Sequence, residues 1–418
     1  MFLPRMAGHV FQIIHQFQLF IGLFRIILYH PFYLLALLPV YELRRCSKCL
    51  LPETTPYIQF DEEGECNFCK SHQKIEPLGE AALLSLLEKF KKKKGKYECL
   101  VPVSGGRDST YALLKMAKDY KMEVLAVNYE NPFTEPQAKE NIKNAVRILD
   151  VDLVSFKLPR NIHVRIFKNS LEALCRKPSS GAFPLICLGC KLMWWEITKI
   201  ARQNGISCVI GGLNRYEDST YKKVALGISE KETWEKTFIK AFSGMLLEII
   251  KNPGYLKLPF IPSYIKAYLF GDPYALGFKL FHRKIVLTDL FYYLDWNEQE
   301  VLSRISSELN WRIPQSASSS WRFDCKVTYL KDCIQKSLLG LTEKDDFYSK
   351  MIREGKISRK EALKRIEQEN IVSFEYIEEL LSFTDISLQS FQEKFPPRNQ
   401  TQKLSRVQGT PTYSHKRH

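Results

Sequence analysis

The sequence predicts an α/β fold: a parallel sheet with flanking helices, a small N-terminal zinc-knuckle unit, and a mostly helical C-terminal part. Three observations predict it. From residue 98 onward, short apolar runs alternate with longer amphipathic ones. Ahead of them stands a compact block with two C-x-x-C pairs. Behind them, from about residue 291, the pattern is helical throughout. The divisions that follow are 1–43 (a hydrophobic N-terminal segment), 44–78 (the knuckle), 79–227 (the α/β domain), 228–290 (an apolar insertion), 291–392 (the helical region) and 393–418 (a basic tail).

At 418 residues, 45% hydrophobic and 26% charged, the chain can bury a full core, which excludes global disorder. A formal charge of +15 favours an anionic partner: nucleotide, nucleic acid or phospholipid. Eleven cysteines, several of them in C-x-x-C pairs, suit metal or redox chemistry in a reducing compartment better than a secreted disulfide scaffold. A cytoplasmic location follows.

Residues 1–43 complicate it. "LFIGLFRIILYHPFYLLALLPV" (19–40) nearly reaches the length of a bilayer span, yet carries Arg25, His30 and Pro31. No small-residue cleavage site follows. Three readings stay open: an interfacial anchor that places the protein peripherally at the inner membrane, a hairpin packed on the protein, or a stretch upstream of the true start.

"RRCSKCLLPETTPYIQFDEEGECNFCK" (44–70) sets Cys46, Cys49, Cys66 and Cys69 in a C-x₂-C-x₁₆-C-x₂-C pattern. That spacing suits a closed tetrahedral four-thiolate Zn²⁺ site of structural type. Residues 80–98 read as an amphipathic helix with a lysine-rich end, stopped at Gly95. The α/β alternation then runs strand, helix, strand, helix, strand, two helices, and a strand ending "ISCVIGG". Residues 228–290, with prolines at 253, 259, 262 and 273, read as an irregular helical insertion that lines the substrate pocket or packs on the N-terminal segment. The tail beyond 393 reads as disordered.

Within this frame "VPVSGGRDSTYAL" (101–113) runs a strand into Ser104, Gly105, Gly106, Arg107, Asp108 and Ser109, then into a helix. The glycines permit a tight turn and close backbone approach to an anion. The first-turn amides and the two serine hydroxyls can donate to phosphate. Asp108 suits orientation of the loop or support of Mg²⁺. The spacing is not that of a Walker A loop, which lacks its lysine here. A second pair, Cys187 and Cys190 in "FPLICLGCK", needs partners to form a site, and Cys325 and Cys333 are both available. Metal or cluster ligation, a redox dithiol and plain buried thiols all remain open for it.

S-G-G-x-D-S after an apolar strand resembles the PP-loop of the ATP pyrophosphatase superfamily, with its adenine nucleotide alpha hydrolase-like fold. The resemblance implies cleavage of ATP between the α and β phosphates, with AMP placed on a substrate oxygen. It makes Ser104, Asp108 and Ser109 candidate catalytic residues. The nucleotide-binding set becomes residues 104–109 with Gly211 and Gly212 in "VIGGLNRYED" and Asn128 in "AVNYEN". Some PP-loop tRNA-thiolating enzymes hold an iron–sulfur cluster on a C-x-x-C pair plus one distant cysteine, a pattern that Cys187, Cys190 and Cys325 are similar to.

The order of blocks sharpens the resemblance. The knuckle, the loop, "CLGCK", then "SSSWRFDCKVTYLKD" and "LGLTEKDDFYSKMIREGKISRKEAL" together resemble the N-acetyl sugar amidotransferase family of surface-polysaccharide (lipopolysaccharide, O-antigen) biosynthesis, over roughly residues 44–375. Residues 1–43 and the tail fall outside it. The family implies adenylation of an acetamido oxygen on a nucleotide-activated N-acetyl sugar and its replacement by ammonia, giving an acetamidino sugar. It places Trp321, Arg322, Asp324 and Arg353 toward the sugar or its phosphates. The chain shows no glutaminase block, and no nucleophilic cysteine with an evident histidine partner. The resemblance to the family therefore implies separate glutaminase and cyclase-like ammonia-channelling subunits. A tRNA thiolase is the alternative, although no RNA-binding module is recognisable and nucleic acid is not the expected partner. A scaffold with an inactive loop is a third reading.

Overall fold

The computed structural model describes residues 43–91, 95–217, 234–271, 275–370 and 373–396. The expectations for residues 1–42 and for the tail from 397 onward lie outside the described residues. Five strands form one sheet: β1 (Cys99–Pro102), β2 (Val124–Tyr129), β3 (Asp152–Phe156), β4 (Cys208–Gly211) and β5 (Val286–Asp289). Their order is β3-β2-β1-β4-β5, and every pair is parallel. Register aligns Leu100 with Leu125 on one side and Val209 on the other.

The helices are α1 (Glu80–Glu88), α2 (Arg107–Leu114), α3 (Pro136–Leu149), α4 (Ile162–Arg176), α5 (Met193–Gln203), α6 (Trp234–Lys251), α7 (Ile261–Phe270), α8 (Glu298–Leu309), α9 (Val327–Leu339), α10 (Glu343–Arg353), α11 (Arg359–Glu369), α12 (Phe374–Leu381) and α13 (Leu388–Lys394). Shorter helical turns link them.

β1 is an apolar run because it is covered on both faces, and Cys99, Leu100 and Val101 are fully buried. On one face Leu100, Leu125, Val127 and Val209 pack with Ile197 and Ala201 of α5. A larger core joins α4 (Ile166, Phe167, Leu171), α9 (Leu330, Ile334) and α12 (Ile377, Leu380).

Two features differ from the sequence reading. The lysine-rich helix expected over 80–98 ends at Glu88, and its last lysines lie outside the described residues. Within the stretch read as an irregular insertion, Val286–Asp289 forms the fifth strand. Pairing with β4 is what identifies these four residues as a strand. The insertion also hydrogen-bonds to the domain beside α4: Asn252 Nδ2 donates to the Ala173 carbonyl at 2.7 Å, and Ser179 Oγ donates to Glu248 Oε2 at 2.6 Å. Among the described residues, no helix is long and apolar enough to cross a membrane.

The chain leaves β1 first toward β2 and β3, then returns to build β4 and β5 on the opposite side. The carboxyl end of β1 is thus the point where strand order reverses. In open parallel sheets the crevice for a ligand lies there.

Candidate active site and cysteine knuckle

The loop 104–109 occupies that crevice. Gly105 has φ +82°, and a Cβ there would lie 2.1 Å from the Ala138 carbonyl oxygen at the start of α3. Glycine is required on both counts. The Gly105 carbonyl accepts from Asn141 Nδ2 at 3.2 Å and Trp311 Nε1 at 2.9 Å. The turn is therefore held from α3 and from the segment after α8. Ser104 and Ser109 hydroxyls lie 3.1 Å apart, and Ser109 Oγ accepts from the Ser104 amide at 3.1 Å. The loop is pre-formed, with its hydroxyls at the cavity rim and α2 starting behind it.

Asp108 points into the protein. Its carboxylate accepts from Asn214 Nδ2 at 2.7 Å and Trp296 Nε1 at 2.9 Å. Burial pushes Asp108 up to about 6, with the Arg107 guanidinium opposing. Its place is therefore to fix the loop against the end of β4. Arg107 is turned inward as well: Nη1 donates to Glu298 at 2.6 Å and Ser320 Oγ at 2.9 Å, and the guanidinium lies over Trp296.

Gly212 serves the same junction, and Gly211 the close approach of β4 to β5. A Cβ at 212 would lie 2.5 Å from the Asp108 carbonyl oxygen and 2.7 Å from the Ser109 amide. A Cβ at 211 would lie 2.1 Å from Asp289 Oδ1. Only a bare backbone lets β4 meet the loop this closely.

Loop, β4 end and the 320–331 block together line one cavity of about 520 Å³. Asp324 reaches the loop, and a Cβ at Gly106 would lie 3.1 Å from its carboxylate. Burial raises Asp324 above the usual carboxylate range, with Ser104 opposing. Arg322, in the left-handed region at φ 46°, also lines the cavity, donating to Glu217 at 3.1 Å and Glu343 at 2.7 Å. Lys331 stands beside it, 2.7 Å from Glu343. Four carboxylates line the cavity, Asp108, Glu217, Asp289 and Asp324, and they share it with the cations Arg107, Arg322 and Lys331.

Other expected residues fall elsewhere. Trp321 is buried over Phe347 and does not line the cavity. Asn128 does not line it either, whereas its strand neighbours Val127 and Tyr129 do. Arg353 lies beside the knuckle, with Nη1 4.0 Å from Cys49 Sγ.

Cys187, Cys190 and Cys325 come together on the cavity wall, and Cys333 goes into the core beside α4. Asn131 Nδ2 donates to Cys325 Sγ at 3.6 Å. Cys190 has a partner that sequence reading missed: its Sγ lies 3.7 Å from His163 Nε2. The two stand 27 residues apart, on the turn Leu188–Lys191 and the first turn of α4, so no local spacing announces them. His163 Nδ1 meets Tyr129 Oη at 2.7 Å. Burial takes His163 down to about 4, so its ring is neutral near pH 7.

The knuckle is separate from this cavity. Ligand atoms of Cys46, Cys49, Cys66 and Cys69 all lie within 4.8 Å of one another, and all four residues are buried. Cys46 Sγ also accepts from the amides of Lys48, Cys49 and Cys66 at 3.2–3.4 Å, a setting that favours thiolate. The set fits Zn²⁺, and among the described residues no other group meets that single-ion spacing. Arg45 binds Asp345 at 2.7 Å, and Arg359 donates to the Cys46 and Cys49 carbonyls, so α10 and α11 clasp the knuckle.

No family profile matches the chain. A curated relative, an uncharacterized protein of Methanocaldococcus jannaschii, is 26% identical over 175 residues, 40% of this chain. The chain spans 58% of that relative's length. Three solved structures overlap it loosely. The NMN synthetase of Francisella tularensis shares 14% identity at a TM-score of 0.34, covering 74% of this chain and 95% of its own. An NH₃-dependent NAD synthetase of Campylobacter jejuni shares 14% at 0.25, over 46% and 94%. A U34-tRNA thiolase of Methanococcus maripaludis, solved with its 4Fe-4S cluster, shares 15% at 0.29, over 77% and 88%. Scores this low leave the functional reading to the site itself.

Proposed function

We propose that this chain is an AMP-forming amidotransferase. It adenylates the acetamido oxygen of a nucleotide-activated N-acetyl sugar and exchanges that oxygen for ammonia, yielding an acetamidino sugar for surface polysaccharide such as O-antigen. The observation that carries the reading is the cavity in which the loop 104–109 faces Asp324 and Arg322 of the "WRFDC" block.

Chemically, an amide oxygen is a poor leaving group until it is phosphorylated. The loop's amides and serine hydroxyls would hold the departing pyrophosphate, and Asp324 and Glu217 would hold Mg²⁺, which neutralises phosphate charge. Arg322 and Lys331 would meet the acceptor's own anionic group. Separate glutaminase and cyclase-like channelling subunits would supply ammonia. The segment 1–43 would hold a cytoplasmic enzyme peripherally at the membrane where polysaccharide precursors are used.

One observation favours a second reading. Three thiols on the cavity wall suit delivery of sulfur to an adenylated base of tRNA, and the trio would then hold an iron–sulfur cluster. A single experiment separates the two. Purified protein with ATP, Mg²⁺ and ammonium is offered UDP-linked acetamido sugars or bulk tRNA, and AMP is measured. Sugar-dependent AMP with nitrogen incorporation supports the amidotransferase. AMP that depends on tRNA instead supports the thiolase and sinks the first reading.

A further inference from the structure

We propose that Cys190 is a nucleophile in this cavity, with His163 as its base and Tyr129 as the positioning residue that sets the imidazole. The inference rests on the adenylating reading of the loop and adds a covalent step to it.

Burial raises the thiols of both Cys190 and Cys325 above the ordinary range, and what sets Cys190 apart is an imidazole acceptor within reach. Cys190 lines the cavity that also contains Ser104, Gly106 and Asp324. Its Sγ lies 3.7 Å from His163 Nε2, while Tyr129 Oη engages Nδ1 at 2.7 Å. The imidazole is thereby turned with one nitrogen toward sulfur and the other toward an anchor. Packing holds the ring in that plane: Tyr129 stacks at 5.9 Å and Phe133 stands edge-on at 5.1 Å. Gly189 makes the approach possible. A Cβ at that position would lie 2.0 Å from His163 Cδ2, so only glycine between the two cysteines of "CLGC" admits the ring. Neither the knuckle nor the phosphate loop uses this trio.

The covalent step balances as follows. Adenylation joins the acetamido oxygen to the α phosphorus, and the amide proton departs with pyrophosphate. Sγ then attacks the imidate carbon while its proton passes to His163 Nε2. The C–O bond breaks, and AMP leaves with the former amide oxygen. The resulting thioimidate is attacked at the same carbon by ammonia, one of whose protons moves to the sugar nitrogen. The C–S bond breaks, His163 returns its proton to sulfur, and the product leaves as an acetamidinium. Holding the activated carbon on sulfur would keep it from water until ammonia arrives.

The test needs no acceptor. Full-length protein, purified anaerobically, is treated with iodoacetamide at pH 7, and each cysteine's labelling rate is read by peptide mass spectrometry. Cys190 is expected to react about tenfold faster than Cys325 on the same wall. That advantage should vanish in His163→Gln and fall about threefold in Tyr129→Phe, with Cys325 unchanged. Tyr129→Phe keeps the stacked ring, so it decides the matter should the His163 variant not fold. A Cys190 no faster than Cys325, or equally fast in both variants, overturns the proposal. Iron bound by the native protein and lost in Cys187→Ser also overturns it, because Cys190 would then be a ligand. Failure of the adenylating reading shows separately, as an absence of AMP with every acceptor, and leaves the labelling comparison untouched.

Discussion

Asn214 Nδ2 donates to Asp108 Oδ2 at 2.7 Å, tying the segment after β4 to the start of α2. This contact joins two glycine-bearing strand ends that lie about a hundred residues apart in sequence, and it is what turns two turns into one site.

Asp108 is raised on folding by burial, from an ordinary 3.8 to about 6. A carboxyl raised in this way binds its proton more tightly in the folded chain. Its contribution to stability is therefore full below the unfolded value and is lost as pH rises through about 6. Relative to Asp108→Asn, which cannot titrate, the wild type should gain thermal stability as pH falls from 7 toward 4. Melting curves of both proteins at matched ionic strength check this, and a wild type that loses ground on acidification contradicts it.

Gly212→Ala should push the loop rather than unfold the chain. The added methyl meets the Asp108 carbonyl oxygen and the Ser109 amide, both backbone atoms that cannot swing aside. Binding of ATP measured by calorimetry should weaken about tenfold or more, with a cost near ~1–3 kcal/mol in stability. Unchanged affinity would mean that the loop tolerates displacement and does not hold nucleotide.

Buried Glu343 neutralises the buried Lys331 at 2.7 Å and the half-buried Arg322 at 2.7 Å. Glu343→Gln leaves both without that carboxylate, and breaking a buried pair from one side costs about 3–5 kcal/mol. Denaturant titration should show that loss. Glu343→Asp should recover part of it, since the charge is retained on a shorter arm.

Removing a knuckle ligand should be felt in α10. Cys66→Ser, or a strong chelator, is expected to release one equivalent of zinc per chain. Amide exchange in Glu343–Arg353 should then rise, because Asp345 is held by Arg45 and Ser349 accepts from the Leu50 amide at 3.1 Å. Metal analysis with hydrogen exchange reads both effects. Exchange unchanged in the metal-free protein would show that the knuckle stands independently of α10.

The sequence by itself determined the parts whose logic is local. A glycine pair after a buried strand, with serines on both sides, is legible because turn geometry and helix-start amides act over a few residues. Four cysteines at C-x₂-C-x₁₆-C-x₂-C are legible because metal geometry dictates the spacing. The alternation of strands and helices was legible wherever an element was long enough to show its period. Tertiary structure alone decided the rest, since nothing near in sequence encodes it. It turned Arg107 inward to Glu298, took Arg353 to the knuckle, and chose Cys325 over Cys333 as companion to the Cys187 pair. It made a strand of Val286–Asp289 through pairing with β4. It also set His163 against Cys190 across a gap that only Gly189 leaves open. Contacts between distant segments depend on how whole elements pack, and the folded chain carries that information in its close approaches.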